Sequence, residues 1–291
     1  MQTSQTTGVR PANSAQTNPA KNPILVLGGT GKTGQRVVKQ LQALDWPLRV
    51  GSRSGHPPFD WLDTRTWKPC VEGIHSVYIT FQPDLAVPGA VDAIRFFTKT
   101  ALEAGVKKLV LLSGRGEKEA EACEQVVMHA GVDWTILRAS WFCQNFSESV
   151  FLEPVQAGHL ALPAGGIPEP FVDVDDIADV AVAALTEEGH NGQLYELTGP
   201  RMLTFKEATQ EIGKAIGRVI NYEQIPIGDY AGMLRSYDVS EDQVDLVVYL
   251  FSEVLDGRNA SLTDGVQRAL GRKPTDFATY VKKAAATGVW G

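Results

Sequence analysis

The chain is expected to be an α/β protein, a doubly wound parallel sheet carrying a smaller, mostly helical lobe at its C-terminal end. Three observations lead there. Residues 24–34 read I-L-V-L-G-G-T-G-K-T-G, an apolar strand entering a glycine turn and then the helical spacing of Val37, Val38 and Leu41. Apolar strand-like runs then alternate with helical patterns as far as Leu137, which is the rhythm of strand–crossover–strand units in a parallel sheet. Beyond Ser140 that rhythm weakens, so the second half does not repeat the first in register.

Taken in order, residues 1–22 are rich in Gln, Thr, Asn, Ser, Ala and Pro, contain no apolar run, and are expected to be a disordered tail. A secretory signal would need an apolar core of about 7–15 residues, and a membrane span about 18 or more. Neither occurs, so a cytoplasmic protein without a membrane partner is expected. Residues 23–150 then form the nucleotide-binding unit and 151–291 the lobe, with some of the later chain returning to the sheet.

At the first turn Gly28, Gly31 and Gly34 are spaced by three. One glycine permits the tight turn, a second lets backbone approach a diphosphate, and a third lets helix pack on strand. The helix N-terminus then presents free N–H groups and a positive dipole to the anion. A Walker A loop would need glycine where Val26 stands, which excludes the triphosphatase reading.

Pro47 to Gly51 reads as the next strand and ends in Ser52-Arg53. A free ribose 2′-hydroxyl is usually met here by a carboxylate, whereas a 2′-phosphate suits hydroxyls and a guanidinium. Ser52 and Arg53 therefore favour NADP(H). Phe59 to Asp63 is a short apolar piece, and His75 to Thr80 a further strand followed by the loop Phe81-Gln82-Pro83. A helix from Ala86 stops at Gly105, and Lys108 to Leu112 is a buried strand opening on Ser113-Gly114. The acidic run from Glu117 reads as a solvated helix start, and Asp133 to Leu137 as a sixth strand, giving an expected order 3-2-1-4-5-6. In the lobe, Asp173, Asp175 and Asp176 stand at a helix start, Gln193 to Leu197 resembles a strand, and helices are expected at 204–216, 229–235, 241–255 and 275–285.

Composition narrows the function classes. A net charge of −7 with no basic stripe argues against nucleic acid. Three cysteines without C-x-x-C spacing and five scattered histidines argue against disulfides and against a metal centre. What remains is a small-molecule site, with the oligomeric state open.

G-G-T-G-K-T-G at 28–34, L-V-L-L-S at 109–113, W-T-I-L-R at 134–138, W-F-C-Q-N-F at 141–146 and F-V-D-V-D-D-I-A at 171–178 resemble the NmrA-like, atypical short-chain dehydrogenases. F-D-W-L-D-T-R-T-W at 59–67 with S-V-Y at 76–78 is further similar to the festuclavine and agroclavine dehydrogenase branch of ergot alkaloid biosynthesis, whose members reduce cyclic iminium compounds. The resemblance implies a Rossmann fold in which Gly28, Thr30, Gly31, Lys32, Thr33 and Gly34 hold the diphosphate, and Ser52 and Arg53 the 2′-phosphate. It also implies Asp60 beside the adenine, and Phe81, Gln82, Ser113 and Gly114 around the nicotinamide and its ribose. Trp141, Phe142, Asn145 and Phe146 would wall the substrate, with Tyr230 adding a cation–π contact and Asp173 or Glu153 a negative charge. Ser113, Trp141 and Asp173 are the candidate catalytic residues, with Asp173 competing as a helix cap.

One departure bears on mechanism. Ordinary short-chain dehydrogenases carry a catalytic Tyr four residues before a Lys; aligned on Glu124, those positions hold Gly116 and Ala120. A carbonyl acceptor develops alkoxide charge and needs an acid, whereas an iminium ion already carries its positive charge. The expectation is an NADPH-dependent reductase of a cyclic imine or iminium. A quinone or azo reductase, and a non-catalytic dinucleotide-sensing regulator of the NmrA type, are the alternatives.

Overall fold

The computed structural model describes residues 21–291, and nearly all of the expected tail lies outside them. In chain order the first half contains β1 (Ile24–Leu27), α1 (Lys32–Ala43), β2 (Leu48–Gly51), α2 (Trp67–Val71), β3 (Ser76–Ile79), α3 (Ala90–Glu103), β4 (Lys108–Gly114), α4 (Lys118–Met128) and β5 (Asp133–Ala139). The second half adds α5 (Leu152–Ala157), β6 (His159–Leu162), α6 (Val174–Thr186), β7 (Gln193–Leu197), α7 (Phe205–Ile216) and β8 (Asn221–Gln224). It ends with α8 (Ile227–Ser236), α9 (Glu241–Tyr249), α10 (Gly265–Leu270) and α11 (Phe277–Ala285).

Six strands form one parallel sheet in the order β2-β1-β3-β4-β5-β7. Its strands bury both faces, so they read as continuous apolar runs, and period-two alternation sorts them between two cores. Leu25, Leu27, Val77, Ile79, Leu109 and Leu111 face one way, under α2, α3 and α4. Ile24, Val26, Tyr78, Val110 and Leu137 face the other, where α1 and α6 cover them.

The expected order is corrected at its edges. Residues 59–63 do not add a strand beside β2; Asp60 and Asp63 make only a local antiparallel bridge. The backbone there is engaged elsewhere, the Asp60 carbonyl accepting the Trp67 indole N–H at 2.7 Å. Phe59 and Trp61 turn inward onto Trp67 and Phe97, and burying such rings outweighs the hydrogen bonds of a short edge strand. The sixth position is taken at the opposite edge by β7, register Thr135 to Gln193 through Ala139 to Leu197.

Outside the sheet, Phe146, Phe151, Phe171, Phe205, Phe277 and Trp290 form a third, largely aromatic core. The parallel pair β6–β8 lies in this part of the chain, together with α7, α8, α9 and α11. Helix α7 starts on a capping box in which the Thr204 hydroxyl accepts from Glu207 N while the Glu207 carboxylate accepts from Thr204 N. A π-helical turn, Leu250–Val254, continues α9 and brings Leu250 and Val254 to the carboxyl edge of the sheet.

Candidate active site

The turn between β1 and α1 is shaped by its glycines. Gly28 has φ +61°, and a Cβ there would lie 2.3 Å from Thr80 Oγ1. A Cβ on Gly34 would lie 2.2 Å from the Gly28 carbonyl oxygen, so this glycine lets α1 sit directly against the strand end. Gly29, absent from the sequence reading, is equally confined, its Cβ position 2.7 Å from Val50 Cγ1. Gly31 differs: its nearest neighbour would be Gly28 O at 3.3 Å, then Gln82 Nε2 at 3.8 Å. It caps α1 in an extended conformation without a side-chain hydrogen bond. Three glycines thus serve packing, while Gly31 leaves room above the helix N-terminus, an arrangement that fits a dinucleotide diphosphate. Thr30 is exposed beside this space and Thr33 is buried beneath it.

At the end of β2, Ser52 O accepts from both Gly55 N and Phe59 N, tightening the turn. Arg53 is exposed and has no carboxylate partner among the described residues. Asp60 is half-buried, and its Oδ1 accepts from Leu62 N at 3.0 Å.

Where β3, β4 and β5 end, a cavity of about 290 Å³ opens beside the glycine turn. Phe81, Trp141 and Phe142 supply aromatic walls, Leu250 and Val254 an aliphatic one, and Lys32, Asn145, Ser113 and Ser140 polar edges. Lys32 Nζ donates to Asn145 Oδ1 at 3.1 Å, and burial lowers the lysine's pKa against the opposing pull of Glu148. Trp141 is held by Phe205 and Phe251, ring centroids 5.2 and 5.1 Å away. Ser113 Oγ donates to Glu124 Oε1 at 2.7 Å, and Arg138 donates to both oxygens of the same buried carboxylate. The Ser113 hydroxyl proton is thereby committed to Glu124. Ser140 Oγ lines the cavity and has no hydrogen-bond partner among the described residues.

Four sequence candidates lie elsewhere. Asp173 is buried and caps α6, its Oδ1 accepting from Asp175 N at 2.9 Å and from Gln144 Nε2 at 2.6 Å. Phe146 is completely buried among Phe151, Phe171 and Phe277. Tyr230 is buried in the third core with its ring against Phe251, which in turn packs on Trp141. Glu153 is exposed in the first turn of α5. Phe146 and Tyr230 are used by the third core and Asp173 by a helix cap, while Glu153 faces solvent.

The negative charge comes instead from Asp84 and Glu117, two carboxyls that both line the cavity and whose charges act on each other. The reading of Glu117 as part of a solvated helix start is overturned: it precedes α4 and is 7% exposed. Its carboxyl lies over Gly114, where a Cβ would come within 2.1 Å of Oε1. Burial, then the charge of Asp84, pushes the Glu117 carboxyl up to about 9. Asp84 is also raised by burial, but the Ala86 N–H, donating to Oδ1 at 2.9 Å, and the Leu85 N–H counter that. Asp84 thus has the backbone donors that favour its charged form, and Glu117 is the member whose proton is held more tightly. The one sequence signal for it was Glu117 following the vacated Tyr position; nothing marked Asp84.

Residues 117–280, more than half of the chain, match the model of the NmrA-like family. The chain belongs to the NmrA-like family. Among its relatives is Prestalk A differentiation protein A of Dictyostelium discoideum, 29% identical over 287 residues that cover 92% of this chain and 95% of that one. Agroclavine dehydrogenase of Claviceps fusiformis is 32% identical over 283 residues, 89% of this chain and 96% of that one. Among solved structures, the triphenylmethane reductase of Citrobacter sp. complexed with NADP(H) superposes with a TM-score of 0.73 at 19% identity, over 90% of this chain and 99% of that one. This NmrA-like chain shares that fold, and the position of the absent Tyr has a local cause. Gly116 has φ +82°, and a Cβ on it would meet Asn259 Nδ2 at 2.5 Å. Asn259 Nδ2 donates to the Arg115 carbonyl at 2.9 Å, while Arg115 donates to the Asn259 and Ser261 carbonyls, so the loop is pinned shut against a large side chain.

Proposed function

We propose that this protein is an NADPH-dependent reductase of a small electron-poor acceptor, with a cyclic iminium compound as the preferred class. The observation that carries the reading is the cavity: it adjoins a glycine turn suited to a diphosphate, has aromatic walls, and is lined by two acidic side chains, Asp84 and Glu117. Similarity to agroclavine dehydrogenase supports the same chemistry.

NADP(H), when bound, supplies the hydride. The chain's residues account for the remaining requirements. Free N–H groups at the start of α1 would hold the diphosphate, Ser52 with Arg53 the 2′-phosphate, and Asp60 the adenine. Phe81, Gln82, Ser113 and Gly114 would hold the nicotinamide and its ribose. Trp141 and Phe142 hold the acceptor by ring contact and exclude water, so the electron-poor carbon is presented in one orientation. Asp84 and Glu117 favour a cation in a partly apolar cavity, where a charge interacts more strongly than in water. No general acid is needed for an iminium ion, because its reduction yields a neutral amine.

The test is to follow reduced-nicotinamide absorbance with purified protein, NADPH and a panel of cyclic iminium salts, quinones, azo dyes and aldehydes. Turnover is expected to be highest with the iminium salts. No turnover with any acceptor, together with equal affinity for oxidised and reduced cofactor, would replace this reading with that of a dinucleotide-binding regulator.

A further inference from the structure

The cavity lining contains no tyrosine, yet it contains two carboxyls, Asp84 and Glu117. Gly116 leaves no space for a side chain, and the residue after it, Glu117, lays its carboxyl over Gly114 toward Asp84. With both groups ionised, Glu117 Oε2 is a buried acceptor without a donor among the described residues. Two like charges would also face each other out of water, and a proton held by the pair removes both penalties.

We propose that the Asp84–Glu117 pair is a proton donor to the bound acceptor, which gives this cavity a further activity, the reduction of neutral imines. This rests on the reductase reading above and extends it from acceptors that carry their charge to acceptors that must gain a proton. In the reaction a hydride, two electrons, passes from the reduced nicotinamide to the imine carbon, and a C–H bond forms. The C=N π pair moves to nitrogen, which takes the Glu117 proton; an O–H bond breaks and an N–H bond forms. The cofactor is oxidised, the imine becomes a neutral amine, and the pair, left with one more negative charge, regains its proton from solvent. The nitrogen becomes far more basic as the double bond is lost, so proton transfer grows more favourable along the reaction.

The surroundings keep that proton available near neutral pH. Glu119 and Glu124 on α4 add like charge to Glu117. Of the cations at the cavity, Arg115 is bound to Asn259, Ser261 and Glu196, and Lys32 to Asn145. The backbone N–H groups of Leu85 and Ala86 stabilise charge on Asp84, so Glu117 is the member that retains the proton.

Glu117→Gln tests this, because it keeps the shape of the side chain and the negative charge of Asp84 but has no proton to give. The wild type and the variant are compared on one cyclic imine in neutral form at pH 8 and on its N-methyl iminium salt. The ratio of imine to iminium turnover is expected to fall by about a hundredfold or more in the variant. A second readout needs no cofactor: the infrared difference between wild type and variant, protein alone, should contain a protonated-carboxyl band at pH 7 that fades toward pH 10, the buried Glu169 being common to both proteins. An unchanged turnover ratio, or no such difference band between the folded proteins, overturns the proposal. Failure of the wild type on the iminium salt would instead overturn the reductase reading, so the two outcomes are separable.

Discussion

Replacing Gly31 and Gly34 one at a time by alanine should separate ligand contact from packing within the same turn. At Gly31, φ −82° and ψ 177° suit alanine, and the added methyl would meet nothing closer than Gly28 O at 3.3 Å. The fold should lose only about 0.5–1 kcal/mol, the difference between glycine and alanine at a helix N-cap. The methyl would stand between the loop and Gln82, in the space proposed for the diphosphate, so NADPH should bind at least tenfold more weakly, about 1.4 kcal/mol. At Gly34 the methyl would meet Gly28 O at 2.2 Å and Gly28 C at 2.7 Å, backbone atoms that cannot rotate away. Overpacking of this kind costs about 1–3 kcal/mol, and the helix-propensity gain of roughly 1 kcal/mol does not restore contact between α1 and β1. Gly34→Ala should therefore melt several degrees lower even without ligand. Circular-dichroism melts and fluorescence titration with NADPH measure both effects. Wild-type affinity in Gly31→Ala, or wild-type melting in Gly34→Ala, would refute this division of roles.

Arg53→Ala should cost NADPH about 10–100-fold in affinity, equivalent to a charged hydrogen bond of about 1.5–3 kcal/mol, while NADH binding hardly changes; equal losses for the two cofactors would remove Arg53 from the 2′-phosphate. Because the Glu117 carboxyl is raised to about 9 in the folded protein, folding retains a proton that the unfolded chain releases, and its contribution to stability falls as pH rises from about 4.5 to 9. The slope is at most about 1.4 kcal/mol per pH unit. Denaturant unfolding at several pH values should give a flatter curve for Glu117→Gln, and parallel curves would mean that no proton is held. Gly114→Ala places a methyl where the Glu117 carboxyl lies, and that flexible end can be displaced. This variant should stay folded but flatten the same pH curve as the carboxyl regains water; a curve matching the wild type would show that the carboxyl does not lie over Gly114.

The parts of the fold that were legible in advance have local causes. A strand buried on both faces must be apolar throughout, so β1, β3, β4 and β5 declared themselves. The glycine turn was readable because its backbone geometry excludes side chains at named positions, and the capping of α6 by Asp173 because a cap is a local hydrogen bond. The edge of the sheet was not. Residues 59–63 and 193–197 both have strand-like patterns, and the choice between them depended on where Phe59 and Trp61 found partners, on α2 and α3.

The same division runs through the site. By itself the sequence determined the dinucleotide turn, the serine and arginine after β2, and the absence of the usual tyrosine, because each is a residue type at a fixed distance from a recognisable element. Only the tertiary structure decided which carboxylates line the cavity. Asp84 and Glu117 lie 33 positions apart in the chain, at the ends of different strands, and look like ordinary surface acids. Closing the sheet brings them together beneath Leu250 and Val254 at one cavity. Their acidity changes because burial takes both from water and sets their charges against each other, a property of enclosure that neither residue's neighbours in sequence can reveal.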